Sequence, residues 1–373
     1  MSVLLAGELA ARDPGDAALV TAFARELPRW PLALISPDPT SASERHGVPA
    51  LSPRDPRRML SALRQCELLV LGNGALHGSG RGERKFDMLA TALAAKALGR
   101  RVALIGVGAG ALRGSADRAR VGALVRLSDL LVLRDRCAAQ RLVAAGAPGP
   151  FRVAADPAWA TPARPASSRD RREGVLVILD AQSMRSHGPR VAALAGALDI
   201  LAVAGLRIRL APWRIGRSGI DDLDLAHAIA RRLGAQARIL LPPSNFEEAQ
   251  VEAAHARVVL ALRVHGLIVA AQSRTPAVAL DHGGDVAALA ARLGQPALPM
   301  TAAPAAIADT VRCAAQGPPA EARRIRAEKD TVDDTFRLLR LLIDAARSDE
   351  DHDLAALPLV PTPRLTSEPV IPG

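Results

Sequence analysis

An arginine and a histidine two positions apart in an apolar stretch are the residues of this sequence best placed to do chemistry. Residues 258–280 read VVLALRVHGLIVAAQSRTPAVAL, and Arg263 and His265 are the only ionisable side chains between Arg257 and Arg274. A guanidinium in such surroundings is costly to bury alone, so an anionic partner is implied. The pattern is a buried strand running into an apolar helix, and an arginine fork at a helix N-terminus suits a phosphate or a carboxylate. Histidine changes charge near neutral pH and can carry protons. An internal arginine–aspartate pair beside a satisfied core histidine would use the same residues structurally. The two together at one strand-to-helix junction favour function, with Arg263 and His265 as the catalytic candidates.

Other segments offer complementary groups. Pro212-Trp213-Arg214 and Arg217 follow a strand and add arginines for an anion. His282-Gly283-Gly284 opens a helix whose amides could hold an anion, with His282 near His265. Near the N-terminus, Gly15-Asp16 leads into a helix, where Asp16 would cap it or bind a sugar hydroxyl. Gly72-Asn73-Gly74 reads as a turn without bulky side chains, open to close approach by a ligand. The run from Gly106 to Gly110 has a superficial likeness to a dinucleotide fingerprint, but it follows the fourth strand and tight packing explains it equally well. Arg134-Asp135 and Asp156-Pro157 each follow an element directly, and each reads either as an architectural pair or as a group aimed at a cleft.

The elements that must position these residues alternate in type. Short apolar strands are expected at 3–6, 32–36, 68–71, 102–105 and 130–133, with helices at 17–26, 56–65, 83–98, 116–127 and 136–144 between them. Solid apolar strands covered on both faces mark a parallel sheet, so residues 1–160 read as a doubly wound, Rossmann-like domain. Residues 161–173, TPARPASSRDRRE, read as an exposed linker. A second alternating series over 174–318 has strands at 175–179, 207–211, 238–241, 258–261 and 277–280, with helices at 189–204, 222–233, 246–255 and 264–273. Ser244 and Glu247 have capping-box spacing at the start of the third of these helices. A charged amphipathic helix over 319–349 and a proline-rich, frayed tail over 350–373 complete the chain. The expected fold is therefore α/β, with two doubly wound domains facing a cleft, where strand C-termini and helix N-termini meet.

Composition excludes several classes. The 373 residues allow about two domains. No apolar run reaches the roughly 20 residues of a bilayer span, and Glu8 interrupts the N-terminal run, so neither a membrane helix nor a secretory signal is expected and the protein is assigned to the cytoplasm. Cys66, Cys137 and Cys313 lie far apart and form neither a disulfide framework nor a zinc set. The net charge of +10 is spread along the chain and aromatic residues make up 2 %, which argues against a nucleic-acid partner and agrees with small anionic substrates.

Taken in order, these residues resemble the polysaccharide pyruvyl transferase family. The resemblance rests on the strand followed by Gly15-Asp16, the glycines at Gly72 and Gly74, the strand with Gly106 and Gly108, Arg134-Asp135 and Asp156-Pro157. Above all it rests on Arg263-Val264-His265 running into Gly266-Leu267-Ile268-Val269-Ala270-Ala271, where the family has an Arg-Leu-His. The resemblance implies a GT-B-like architecture and transfer of a pyruvyl group from phosphoenolpyruvate to a sugar of a cell-surface or exported polysaccharide. It implies no cofactor. The acceptor it implies is a saccharide, free or lipid-linked, with which peripheral membrane contact is compatible. Arg263 would then hold the donor's phosphate or carboxylate, and His265 would transfer protons. Asn73 stands where the family often has glycine, and His282-Gly283-Gly284-Asp285 stands where it often has a Tyr-Asp-Pro-Lys-like segment. A nucleotide-sugar glycosyltransferase and a non-catalytic glycan-pathway binding protein are the alternative readings.

Overall fold

Parallel sheets form because βαβ crossovers cover both faces of strands that are apolar throughout, and two such sheets organise this chain. Residues 2–7, 13–76, 87–110, 112, 114–147, 149, 151–164, 171–184, 188–215 and 221–348 are described in a computed structural model. The N-terminal lobe contains β1 (Ser2–Gly7), α1 (Pro14–Glu26), β2 (Leu32–Ile35), α2 (Pro39–His46), β3 (Ala50–Leu51), α3 (Pro56–Gln65), β4 (Cys66–Leu76), α4 (Met88–Ala97), β5 (Arg101–Ala109), α5 (Ser115–Leu127), β6 (Leu130–Leu133), α6 (Arg136–Ala144) and β7 (Arg152–Val153). A 3-10 turn, Pro157–Ala160, follows.

The C-terminal lobe contains β8 (Val175–Ile178), α7 (Ala181–Met184), α8 (Gly188–Val203), β9 (Ile208–Ala211), α9 (Asp222–Leu233), β10 (Ala237–Ile239), α10 (Phe246–Ala254), β11 (Val258–Ala261), α11 (Val264–Gln272), β12 (Ala277–Asp281), α12 (Asp285–Leu293), β13 (Ala297–Pro299), α13 (Pro304–Gln316) and α14 (Ala322–Ser348). The sheets run β3-β2-β1-β4-β5-β6-β7 and β10-β9-β8-β11-β12-β13, with every pairing parallel. In both, the order reverses beside the first strand, the place where doubly wound sheets open a crevice.

Several local expectations are corrected. Gly72 and Gly74 do not make a turn: β4 continues through them, pairing Gly72 with Gly7 and Ile105 and Gly74 with Val107. Strand β5 runs alongside both glycines and β1 reaches as far as Gly72, and this pairing outweighs the poor strand propensity of glycine. The cap of α1 is Asp13, whose carboxylate accepts from the Gly15 amide, and Asp16 lies buried in the first turn. The cap of α10 is Asn245, one residue later than expected; its side chain accepts from Glu248 N while the Glu248 carboxylate accepts from Ser244 N. In the segment read as an exposed linker, Pro162, Ala163, Arg164, Arg171 and Glu173 are exposed, while Thr161 is buried against Gln272 and Arg172 donates to the Arg274 carbonyl.

At Gly106 the β5 ladder shifts register and φ is +65°, and a Cβ there would lie 2.7 Å from Pro157 Cδ. A bare backbone at this point lets the Asp156-Pro157 corner close onto the sheet. The C-terminal helix α14 returns to the N-terminal lobe, where Phe336 meets Phe23 edge-on at 5.1 Å and Arg340 pairs with Glu26. One apolar cluster joins the lobes through Trp159, Ile178, Trp213, Leu267 and Phe336. The tail from 350 onward lies outside the described residues.

Candidate active site between the lobes

Strand β11 ends at Ala261, and two residues later Arg263 takes the cap position of α11 in extended backbone, without a side-chain cap of its own. Its guanidinium is 8 % exposed and engaged at both ends. Nη1 donates to Asp13 Oδ2 at 2.9 Å, across the lobe boundary, and Nη2 donates to Asp222 Oδ2 at 2.7 Å within its own lobe. Asp180 Oδ1 lies 3.5 Å from Nη2, and the Trp213 ring centroid lies 5.8 Å from the guanidinium carbon. Arg214 adds a second cation, reaching Asp13 Oδ2 at 3.1 Å and Gln182 Oε1 at 2.8 Å. The anionic partner that the sequence demands for Arg263 is thus, in this arrangement, a set of the protein's own carboxylates.

The carboxylates respond to different balances. Burial would raise Asp13, but Arg263, Arg214 and His265 together hold it well below the ordinary carboxylate range. Burial would likewise raise Asp180, and it is brought down chiefly by its hydrogen bond to His282 and by Arg263. In Asp222 burial wins over Arg263 and the carboxyl is raised. Asp222 also accepts from the amides of Ala181, Trp213 and Arg214, which ties the loops after β8 and β9 to Arg263.

In the first turn of α11, the His265 ring crosses to the N-terminal lobe, and its Nε2 lies 3.3 Å from Asp156 Oδ2. The Asp156 carboxylate is buried and fixed by accepting from Ala158 N at 2.9 Å. The ring rests on Gly15 so closely that a Cβ at that position would lie 1.9 Å from Nδ1.

A second set of pairs also spans the lobes. Arg134 Nη2 donates to Asp285 Oδ2 at 2.9 Å, and its Nε lies 3.4 Å from Asp135. Arg141 reaches Asp285 Oδ1 at 3.4 Å and donates to the Gly283 carbonyl. Between Arg134, Asp156, Trp159, Val264, Asp285 and Arg292 is a cavity of about 10 Å³, room for a single water. A larger hollow of about 380 Å³, lined by Gln295, Asp309, Thr310 and Cys313, contains none of these residues.

The structure therefore brings together Arg263, His265, Arg214, Arg134, His282 and Gly283 along the lobe boundary. The expected anion site in the amides after His282 is corrected: Asp281 already accepts from Gly284, Val286 and Ala287. His282 instead faces Asp180 at 3.6 Å. Gly72 is buried between Leu19 and the Ile105 carbonyl, where packing explains it, and Asn73 and Gly74 continue β4 beside it. Arg217 lies outside the described residues. Sequence reasoning missed Asp13, Asp180, Asp222 and Asp285. Asp180 lies two residues past the end of β8, so attention to the residues just after every strand would have found it.

The family model of polysaccharide pyruvyl transferases matches residues 14–284, a span that holds every residue of this cluster except Asp13, Asp285 and Arg292. The chain belongs to the polysaccharide pyruvyl transferase family. Membership implies a transferase acting on polysaccharides. No curated protein matches the sequence. Among solved structures, the chain is similar to UDP-GlcNAc 2-epimerase from Methanocaldococcus jannaschii (12 % identity, TM-score 0.60, covering 91 % of this chain and 100 % of that one). The epimerase from Neisseria meningitidis bound to UDP-GlcNAc is comparable, with 11 % identity, a TM-score of 0.60 and 92 % and 99 % coverage. MurG from Acinetobacter baumannii gives 13 % identity, a TM-score of 0.53 and 91 % and 99 % coverage. These likenesses establish that this pyruvyl transferase family member has the GT-B architecture. Among its described residues no helix is long and apolar enough to cross a membrane.

Proposed function

We propose that this protein transfers a pyruvyl group from phosphoenolpyruvate to a saccharide of a cell-surface or exported polysaccharide, free or lipid-linked, in the cytoplasm. The observation that supports the reading is the pairing of candidate cations with carboxylates of the opposite lobe: Arg263 and Arg214 with Asp13, and Arg134 with Asp285. When the lobes part, Asp13 and Asp285 leave, and three guanidiniums lose partners that the donor's phosphate and carboxylate can replace. The donor is far larger than the 10 Å³ cavity, so the lobes part to admit it and close again over it for the chemistry.

The chemistry asks only for anion binding and proton transfer. A sugar hydroxyl oxygen bonds to C2 of phosphoenolpyruvate, C3 gains a proton and becomes a methyl group, and the C2–O bond to phosphate breaks with its electron pair going to phosphate. A second hydroxyl of the sugar closes the ketal and its proton leaves with the phosphate. His265 gives a proton to C3 and receives the one from the first hydroxyl. Arg263 and Arg134 stabilise the departing phosphate. No redox or metal chemistry is required.

Incubation of the protein with phosphoenolpyruvate and surface polysaccharide stripped of pyruvate by mild acid tests this by release of inorganic phosphate and appearance of pyruvate ketal in the glycan. Both signals are expected, together with a thermal shift in phosphoenolpyruvate. A shift in UDP or another nucleoside diphosphate and none in phosphoenolpyruvate would point to a nucleotide-sugar donor instead.

A further inference from the structure

We infer that Asp156 is a positioning residue for His265 and that, because the two stand on opposite lobes, the proton-transferring imidazole is set in its working tautomer only when the lobes are together. The inference rests on the proposed role of His265 and concerns what makes that role possible.

Asp156 closes the N-terminal lobe after β7 and caps the turn Pro157–Ala160, while His265 opens α11 in the C-terminal lobe. Their contact, Nε2 to Oδ2 at 3.3 Å, therefore exists only across the boundary. The carboxylate is held independently of the ring: Oδ1 accepts from Ala158 N, and Gly106 lets Pro157 seat against β5. A carboxylate so fixed assigns the Nε2 proton. Nε2 donates to Asp156, and Nδ1 is left with its lone pair against the bare Cα of Gly15. A side chain at position 15 would lie on that nitrogen, so the glycine keeps it uncovered. One imidazole nitrogen oriented by a carboxylate and the other free to exchange a proton is the arrangement in which an Asp–His pair transfers protons well.

The charged groups facing this pair come from four elements. Asp13, at the start of α1, acts on the ring. Arg134, after β6, acts on Asp156 and itself faces Asp135 and Asp285 of α12. Arg263 stands two residues from the ring on its own segment. Burial alone would raise Asp156, and His265, the Ala158 amide and Arg134 bring it below the ordinary range, so it is the ionised carboxylate that meets the ring.

The test is steady-state transfer from phosphoenolpyruvate by the full chain, comparing wild type with Asp156→Asn, Asp156→Glu and His265→Ala across pH 5–9. Asp156→Asn keeps the acceptor for Ala158 N but removes the charge. It is expected to lower kcat by roughly 10- to 1,000-fold, to leave KM for phosphoenolpyruvate within about 3-fold, and to move the limb of the kcat profile that His265→Ala abolishes to lower pH, with partial rescue in Asp156→Glu. An unchanged kcat and profile, or a rise in KM alone, overturns the inference while leaving the proposed function standing. Full activity in His265→Ala overturns the role of His265 instead. Should neither Asp156 variant fold, ¹H–¹⁵N spectra of the wild-type imidazole decide: a proton on Nε2 of His265 and none on Nδ1 supports the assignment, and the reverse overturns it.

Discussion

Gly15 and His265 meet so closely across the lobe boundary that a single methyl group has nowhere to go. Gly15→Ala would set its Cβ 1.9 Å from Nδ1, and since that residue lies at the start of α1, the ring must give way. The expected outcome is loss of transfer activity by an order of magnitude or more, with helix content by circular dichroism unchanged; retention of full activity would show that the contact is immaterial. Acid stability is argued at the same scale. Asp13, Asp156 and Asp180 are held below the usual carboxylate range. Groups lowered on folding stabilise above their unfolded value of about 3.9 and lose that contribution as pH falls through the folded value. Asp222 is raised, so its sign is opposite and it offsets part of the loss. Denaturation midpoints at pH 7, 5, 4 and 3 should fall on acidification, and less steeply in Asp13→Asn. Identical slopes in the two proteins would mean that Asp13 does not contribute.

The elements set these residues by ordinary means. Buried strands such as VVLA of β11 and LLVL of β6 are apolar at every position, which is why their limits are legible in the sequence to the residue. The edge strands β3, β7 and β13 are not, because two or three residues without a pattern become strands only when a neighbour offers a ladder. The carboxylates of the site escaped notice for a related reason. Asp13, Asp222 and Asp285 look like helix starts, and the arginines they pair with in these bonds lie from 41 to 250 residues away. Residue type and local spacing brought out Arg263 and His265, whereas the pairing across the boundary is a property of the tertiary fold. Helix α14, legible in the sequence as a charged amphipathic helix, lays its apolar stripe against the N-terminal lobe. Phe336→Ala should cost about 3–5 kcal/mol by chemical denaturation, the range for deleting a buried aromatic. A cost under about 1 kcal/mol would contradict its place in the core.

At the scale of the whole molecule, two groups of ion pairs join the lobes: Asp13 with Arg263 and Arg214, and Asp285 with Arg134 and Arg141. Partly buried pairs of this kind register position as much as they stabilise. Replacing both Asp13 and Asp285 by Asn should let the lobes part, so the radius of gyration from X-ray scattering should exceed that of wild type, for which about 21 Å is expected of a compact chain of this length. Cys137 supplies an independent readout. It is half-buried near Gly284 at the boundary, and its thiol is raised by burial, Asp135 and Asp285. Alkylation of Cys137, scored against the exposed Cys313, should therefore quicken in the double variant; unchanged scattering and labelling would mean that the apolar contacts alone hold the lobes.

The most direct test of whether this boundary is where the pyruvyl group moves uses radiolabelled phosphoenolpyruvate carrying ¹⁴C in its pyruvyl carbons, with acid-depyruvylated surface polysaccharide as acceptor. Wild type should incorporate label into the glycan with one phosphate released per pyruvyl group, and His265→Ala and Arg134→Ala should each lose incorporation by at least 100-fold. Incorporation undiminished in both variants would place the chemistry elsewhere in the molecule.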